Sequence, residues 1–208
     1  MSLRHAAQDL RRQFRLVRRH LRYGRASFGG QGSPAKSAAL QELFRGVNGW
    51  LRSSGVEYTL AFGTLLGWHR EHRLLPHDVD IDFAAPVAEY GRLLRNRAAL
   101  PVGYRLYDTS YRHFGPKLYV SHGVWEADIY FYSESGGMLQ SLERCRNPGD
   151  VAPFPREYFF PRQPAEFLGE PTHIPADPVA LLTTIYGYIG PNAVRDPQTR
   201  YFRPRHPA

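Results

Sequence analysis

Cysteine is nearly absent from this chain. Cys145 is the single one in 208 residues, which excludes an intramolecular disulfide framework and any Cys-rich zinc site. Long apolar runs are missing as well: nothing approaches the roughly 20 residues of a membrane-spanning helix. The basic N-terminus lacks the uninterrupted apolar core of a secretory signal, so cytoplasmic residence is the default expectation. No internal repeat is present. Acidic residues are scarce at one end only. Residues 1–25 hold eight Arg and one Asp, a charge of +7, while the whole chain carries +8. The body is therefore close to neutral, which argues against nucleic-acid binding as the central function, since that calls for a basic face on the folded domain.

What is present is enough for one well-cored domain. Apolar residues make up 42% and charged residues 22% of the chain, the balance of an ordinary soluble globular protein of this length.

The informative stretch runs from Tyr58 to Phe83. At its end Asp78, Asp80 and Asp82 alternate with Val79, Ile81 and Phe83. Successive strand side chains point to opposite faces, so three carboxylates share one face and three apolar groups the other. Neighbouring carboxylates repel, and Asp is a poor strand former, so something must offset the cost. A hard divalent cation with oxygen ligands does so, Mg²⁺ or Mn²⁺, commonly shared with substrate phosphates. Upstream, residues 58–62 read as a short buried strand, broken by Gly63 and Thr64 before a short helix. Glycine lets backbone approach a phosphate, and helix N-terminal N–H groups with a Thr hydroxyl supply donors. Gly63 and Thr64 are thus candidate phosphate contacts.

Taken in order, residues 4–22 show a helical stripe of Leu10, Phe14, Val17 and Leu21 among arginines. The expectation is a helix packing that stripe on its own domain; the alternative is contact with an anionic membrane surface or acidic glycan. Residues 24–34, with five Gly or Pro, read as a flexible connector. A core helix follows, with Ser37 as candidate cap and Leu40, Leu43, Phe44, Val47, Trp50 and Leu51 on one face. The segments are residues 1–36 for the basic helix and connector, 37–194 for the main folded domain and 195–208 for a poorly ordered tail.

After the acidic strand, Pro86 suits the first turn of a helix running to about Arg97. Residues 104–107 suggest a short strand. Residues 117–120 and 124–132 suggest a hairpin turning at 121–123. Within it Asp128 stands alone among apolar and aromatic neighbours, either facing solvent or facing Asp80 and Asp82; the second is preferred. Residues 136–175 read as irregular cover for the sheet. Asp177 and Pro178 mark the start of a last helix carrying Leu181, Leu182 and Ile185, with Gly187 past its end. His69, His72 and His77 lack the spacing of a zinc motif.

Residues 62–70 (FGTLLGWHR), 75–82 (LPHDVDID), 127–132 (ADIYFY) and the closing 174–187 segment together resemble the LicD/fukutin family. The likeness spans about residues 40–190, departing at His77 and Val79, where the family often has Trp and a carboxylate. The resemblance implies an α+β, nucleotidyltransferase-like mixed sheet flanked by helices, with a metal site on adjacent strands. It implies transfer of a phospho-alcohol, phosphocholine or ribitol phosphate, from a CDP-activated donor to a glycan or lipid-linked sugar hydroxyl, releasing CMP. Carried over, Asp80 and Asp82 match the metal pair and Asp128 the third carboxylate, and these three are the expected catalytic set; Asp78 is a further candidate metal ligand, direct or through the residues around the ion. Gly63 and Thr64 match the phosphate-side turn. Arg70 and Lys117 are candidates for the donor diphosphate. A nucleotidyltransferase passing on the nucleotide itself, or a non-catalytic binding module of the same fold, are the rival readings.

Overall fold

The computed structural model describes residues 3–24, 32–145 and 147–205. Seven strands build its main sheet: β1 (Thr59–Leu60), β2 (Asp80–Pro86), β3 (Tyr104–Asp108), β4 (Lys117–His122), β5 (Trp125–Ser135), β6 (Met138–Ser141) and β7 (Phe154–Pro155). Their spatial order is β1-β2-β5-β4-β3, with β6 and β7 continuing from the far half of β5. Strands β2 and β5 run parallel and the other pairs antiparallel. Two smaller hairpins follow, β8 (Gln163–Phe167) with β9 (Glu170–Ile174), and β10 (Ala193–Arg195) with β11 (Phe202–Pro204). The helices are α1 (Leu3–Tyr23), α2 (Pro34–Ser53), α3 (Phe62–Glu71), α4 (Tyr90–Arg95) and α5 (Pro178–Tyr186). The fold is α+β, a mixed sheet with helices beside it.

The parity of β2 decides the two faces of the sheet. Ile81, Phe83 and Ala85 are fully buried on the side covered by α2, where Phe44 stacks on Phe83 at 5.9 Å between ring centroids. Leu40, Leu43, Phe44, Val47 and Leu51 of α2 complete this layer, each contributing about 1.5–3 kcal/mol on burial. Trp50 joins them and donates its indole N–H to the Asn96 carbonyl at 3.0 Å. At the base, Asn48 accepts from the Tyr58 hydroxyl at 2.7 Å and donates to the Pro171 carbonyl at 3.0 Å.

Several local expectations shift. Helix α2 begins at Pro34, inside the supposed connector, because proline suits a first helical position and Ser33 takes the Lys36 N–H at 3.1 Å. Ser33, not Ser37, is therefore the cap. Residues 25–31 of the connector lie outside the described residues. Pro86 ends β2 and does not open a helix; a 3-10 turn over Val87–Glu89 leads into a shorter α4. The region 136–175 is not irregular but holds β6 to β9. The tail from Arg195 returns as β11, because Asp196 accepts the Gln198 and Thr199 N–H groups at 2.9 Å and closes a tight turn. Helix α5 starts as expected, with Asp177 accepting the Ala180 N–H at 2.9 Å.

The largest departure is α1, which packs by its arginines. Glu126 on β5 is only 5% exposed and receives Arg12 at 3.0 Å and Arg15 at 2.8 Å. Arg15 also lies over the rings of Tyr107 and Tyr119, and Arg19 over Trp125. A buried carboxylate needs paired cations, and guanidinium planes favour aromatic faces. That demand outweighs the pull of a narrow apolar stripe. Leu10, Phe14, Val17 and Leu21 consequently stand 59%, 63%, 57% and 79% exposed.

Candidate metal centre and substrate cleft

On the sheet face opposite α2, register places Asp80 beside Glu126, Asp82 beside Asp128 and Ala84 beside Tyr130. Paired positions on adjacent strands point the same way, so the acidic residues of β2 and β5 converge. Asp80, Asp82 and Asp128 each offer a carboxylate oxygen, all within 4.8 Å of one another. Among the described residues they are the only such group of potential ligands.

The electrostatics follow from crowding and burial. Asp80 is pushed up to about 7, by burial first and then by Asp128 and Asp78, with Lys117 and Arg19 pulling the other way. Asp82 is raised well above the carboxylate range, by burial, then Asp80 and Asp128. Three hard oxygen donors within 4.8 Å, of which Asp80 and Asp82 are held back from ionising, fit a divalent cation of the Mg²⁺ or Mn²⁺ type. The donor set contains neither imidazole nor thiolate, which zinc would favour.

Asp78 does not join the group. It lies in the turn before β2, where its Oδ2 accepts the Leu75 N–H at 2.9 Å. The strand itself carries two of the three alternating carboxylates. Asp78 still lines the neighbouring cleft, and burial raises its pKa.

Helix α3 starts immediately after β1, earlier than expected. Gly63 and Thr64 therefore sit in its first turn and not in a loop. The N-terminus is held to β2 from both sides: the Ala61 N–H donates to the Asp82 carbonyl at 3.0 Å, and the Asp82 N–H donates to Thr64 Oγ1 at 2.9 Å. Thr64 is fully buried, so its hydroxyl positions Asp82 and faces no substrate. Gly63 lines the cleft. A Cβ there would lie 3.1 Å from Asp78 Oδ1 and 3.5 Å from Asp82 Oδ2, so glycine keeps the approach to the carboxylates open.

The two candidate cations part company. Lys117 Nζ lies 3.5 Å from Asp128 Oδ1 and 2.9 Å from the centre of the Tyr130 ring, buried and directed at the acidic cluster. Arg70 turns away and donates to the carbonyls of Ile189 and Gly190, both at 2.7 Å. Its guanidinium is committed to the backbone leading into β10 and not to a diphosphate.

A cleft of about 380 Å³ opens beside the carboxylates, lined by Gly63, His77, Asp80, Asp82, Glu143 and Arg195 among others. Two of these were missed by sequence reasoning. Glu143 also lines a smaller cavity of about 110 Å³ with Lys117 and Asp128, and burial lifts its pKa to about 7. Arg195, placed in the tail by the sequence, reaches the cleft on β10, where it donates to Asn147 Oδ1 at 3.0 Å and lies over Phe202. No local pattern marks either one, because each is brought in by strand pairing far along the chain. Cys145 lies in the same cleft, with its thiol pushed up to about 11 by burial and by Asp150. It is not a nucleophile at neutral pH.

No helix among the described residues is long and apolar enough to cross a membrane. The architecture has loose likenesses among solved structures. The antibiotic-resistance factor ANT(2'')-Ia is 13% identical, over 68% of this chain and 69% of that one, with a TM-score of 0.43. The lincosamide antibiotic adenylyltransferase LnuA is 12% identical, over 70% and 82%, with a TM-score of 0.36. Likenesses this distant leave the reaction open. No curated protein sequence matches the chain significantly. The family profile described as the LicD/FKTN/FKRP nucleotidyltransferase domain matches residues 55–177, more than half of the chain, taking in α3, β2 and β5 with all three converging carboxylates. The chain is a transferase and belongs to the LicD/FKTN/FKRP family.

Proposed function

We propose that this protein moves a phospho-alcohol, such as phosphocholine or ribitol phosphate, from a CDP-activated donor to a hydroxyl of a glycan or lipid-linked sugar, releasing CMP. The observation that carries the reading is the convergence of Asp80, Asp82 and Asp128 within 4.8 Å beside a cleft that holds both cations and spare carboxylates. Phosphoryl transfer needs little covalent help from a protein. It needs the attacking oxygen, phosphorus and leaving oxygen in line, with the shifting negative charge stabilised.

A divalent cation held by Asp80, Asp82 and Asp128 would supply that charge stabilisation at the donor phosphates. Thr64 and the α3 N-terminus keep Asp82 in place. Lys117 sits beside Asp128 and contributes positive charge at the phosphates. Arg195, which also lines the cleft, contacts the donor. The acceptor oxygen bonds to the phosphorus of the phospho-alcohol, and the bond from that phosphorus to the CMP oxygen breaks. The acceptor proton passes to a carboxylate: Asp128, or Glu143, which lines the cleft without belonging to the three-Asp group.

The test is CMP release from CDP-choline and CDP-ribitol in the presence of mixed glycans, with Mg²⁺, Mn²⁺ or chelator. Wild type is compared with Asp80→Asn. Metal-dependent CMP release that the variant lacks supports the reading and identifies the alcohol. The nucleotidyltransferase domain named in the family description favours a second reading, transfer of the nucleotide itself. Pyrophosphate release from a nucleoside triphosphate, with no CMP from any CDP-alcohol, would establish that one instead.

A further inference from the structure

The outward face of α1 combines apolar side chains with cations that have no acidic partner among the described residues. At about 100° per residue, Leu10, Phe14, Val17 and Leu21 lie in one line, opposite the Arg12, Arg15 and Arg19 face that grips the sheet. All four are more than half exposed. Arg11, Arg18 and Arg22 run along one flank of the line, and each is exposed.

Next to Phe14 a cavity of about 390 Å³ opens between α1 and the ends of β3 and β4. It is lined by Arg11, Arg15, Arg18 and Arg105, with Tyr107 and Ser121, and no carboxylate is among its lining residues. Val102, beside Gly103 at the rim of that cavity, is fully exposed.

We infer that α1 is a membrane-docking element, which lays Leu10, Phe14, Val17 and Leu21 into the surface of an anionic bilayer while Arg11, Arg18, Arg22 and Arg105 engage lipid phosphates. Exposed apolar residues in this arrangement enter the boundary between headgroups and acyl chains, and long arginine stems keep their charge at the phosphates. Charge complementarity selects the bilayer over a second copy of the chain. The one acid in α1 is Asp9, and it is already engaged by Arg112 and by the Tyr111 hydroxyl. A second α1 packed on the stripe would therefore bring arginines toward arginines and offer no carboxylate.

Glu126, which anchors the helix, is two residues from Asp128 on the same face of β5. Docking through α1 would thus hold the acidic cleft beside the bilayer surface. The inference rests on the helix and its cavity, not on the reaction proposed above.

The experiment is cosedimentation of the full chain with vesicles of phosphatidylcholine alone and of phosphatidylcholine mixed with phosphatidylglycerol, over a series of salt concentrations. Two double variants accompany it, Phe14→Ser with Leu21→Ser and Arg11→Gln with Arg18→Gln. All four positions are exposed, and circular dichroism checks that both variants remain folded. The wild type is expected on the anionic vesicles only, less tightly as salt rises. The arginine variant should lose about tenfold or more in partitioning, and the serine variant a comparable amount. Absence of binding to anionic vesicles would overturn the inference. So would wild-type partitioning by the serine variant, or a stripe-dependent dimer in sedimentation equilibrium without vesicle binding.

Discussion

At the scale of single residues the acidic cluster works against folding and for binding. Asp80 stands at about 7 in the folded protein, against about 3.9 in an unfolded chain. Between those values the folded state keeps a proton that the unfolded state has released, so stability falls as pH rises through the interval. Asp80→Asn cannot ionise. In the presence of chelator the variant should match wild type below about pH 4 and exceed it above about pH 7, by on the order of 2 kcal/mol. Urea unfolding across pH measures the gap, and a variant less stable at neutral pH would refute the repulsion. Thr64 makes the complementary case. Thr64→Val keeps the shape but strands the Asp82 N–H, now bonded at 2.9 Å, and should cost about 1–3 kcal/mol. Its activity should fall further than that of other equally destabilised variants, because Asp82 is one of the converging carboxylates. Gly63→Ala tests access instead. Alanine favours a helix by about 1 kcal/mol over glycine, so stability should hold. Its Cβ, 3.5 Å from Asp82 Oδ2, should weaken divalent-metal affinity as read by isothermal titration.

At the scale of elements, the two strands that carry the carboxylates were legible and their surroundings were not. The alternation at residues 78–83 exposed the site because a period of two assigns every side chain to a face. It could not show that β2 begins at Asp80, which leaves Asp78 in a turn. The stripe on α1 was equally plain, yet periodicity locates a stripe without saying which side packs. That choice was made by Glu126, more than a hundred residues away. The β10–β11 hairpin was hidden for a related reason: its arginines and prolines resemble a solvated tail until Asp196 closes the turn. This hairpin carries Arg195 into the cleft, and Arg70 holds the chain just before it through the Ile189 and Gly190 carbonyls. The two arginines should therefore separate kinetically. Arg195→Gln should raise KM for the proposed CDP donor with little change in thermal stability. Arg70→Met should raise KM as well, and also make the 187–205 segment more open to limited proteolysis. Equal protease resistance in the two variants would break the link between them.

For the whole molecule, the sheet divides two kinds of stabilisation. Its α2 face is a conventional apolar core, with Leu43, Phe44, Val47 and Phe83 fully buried. Its other face gathers Asp80, Asp82, Asp128 and Glu126, offset by Arg12, Arg15 and Lys117. Glu126 is paired by two arginines of α1, whereas among the described residues Lys117 is the one cation in an ion pair with the three aspartates. The protein should accordingly be tuned to a bound divalent cation, which stabilises the folded chain by about 2.7 kcal/mol at a hundredfold excess over Kd. For a chain of this size that corresponds to a rise of about 5–10 °C in Tm. Protons compete for the same oxygens. With Asp80 at about 7, the rise should be near full above pH 7.5 and mostly gone by about pH 5. Scanning calorimetry with Mg²⁺, Mn²⁺ or chelator at those two pH values reads it directly, with Asp128→Asn as the control expected to show little response. A cation-induced rise of equal size at both pH values, or one retained in Asp128→Asn, would place the metal elsewhere on the molecule.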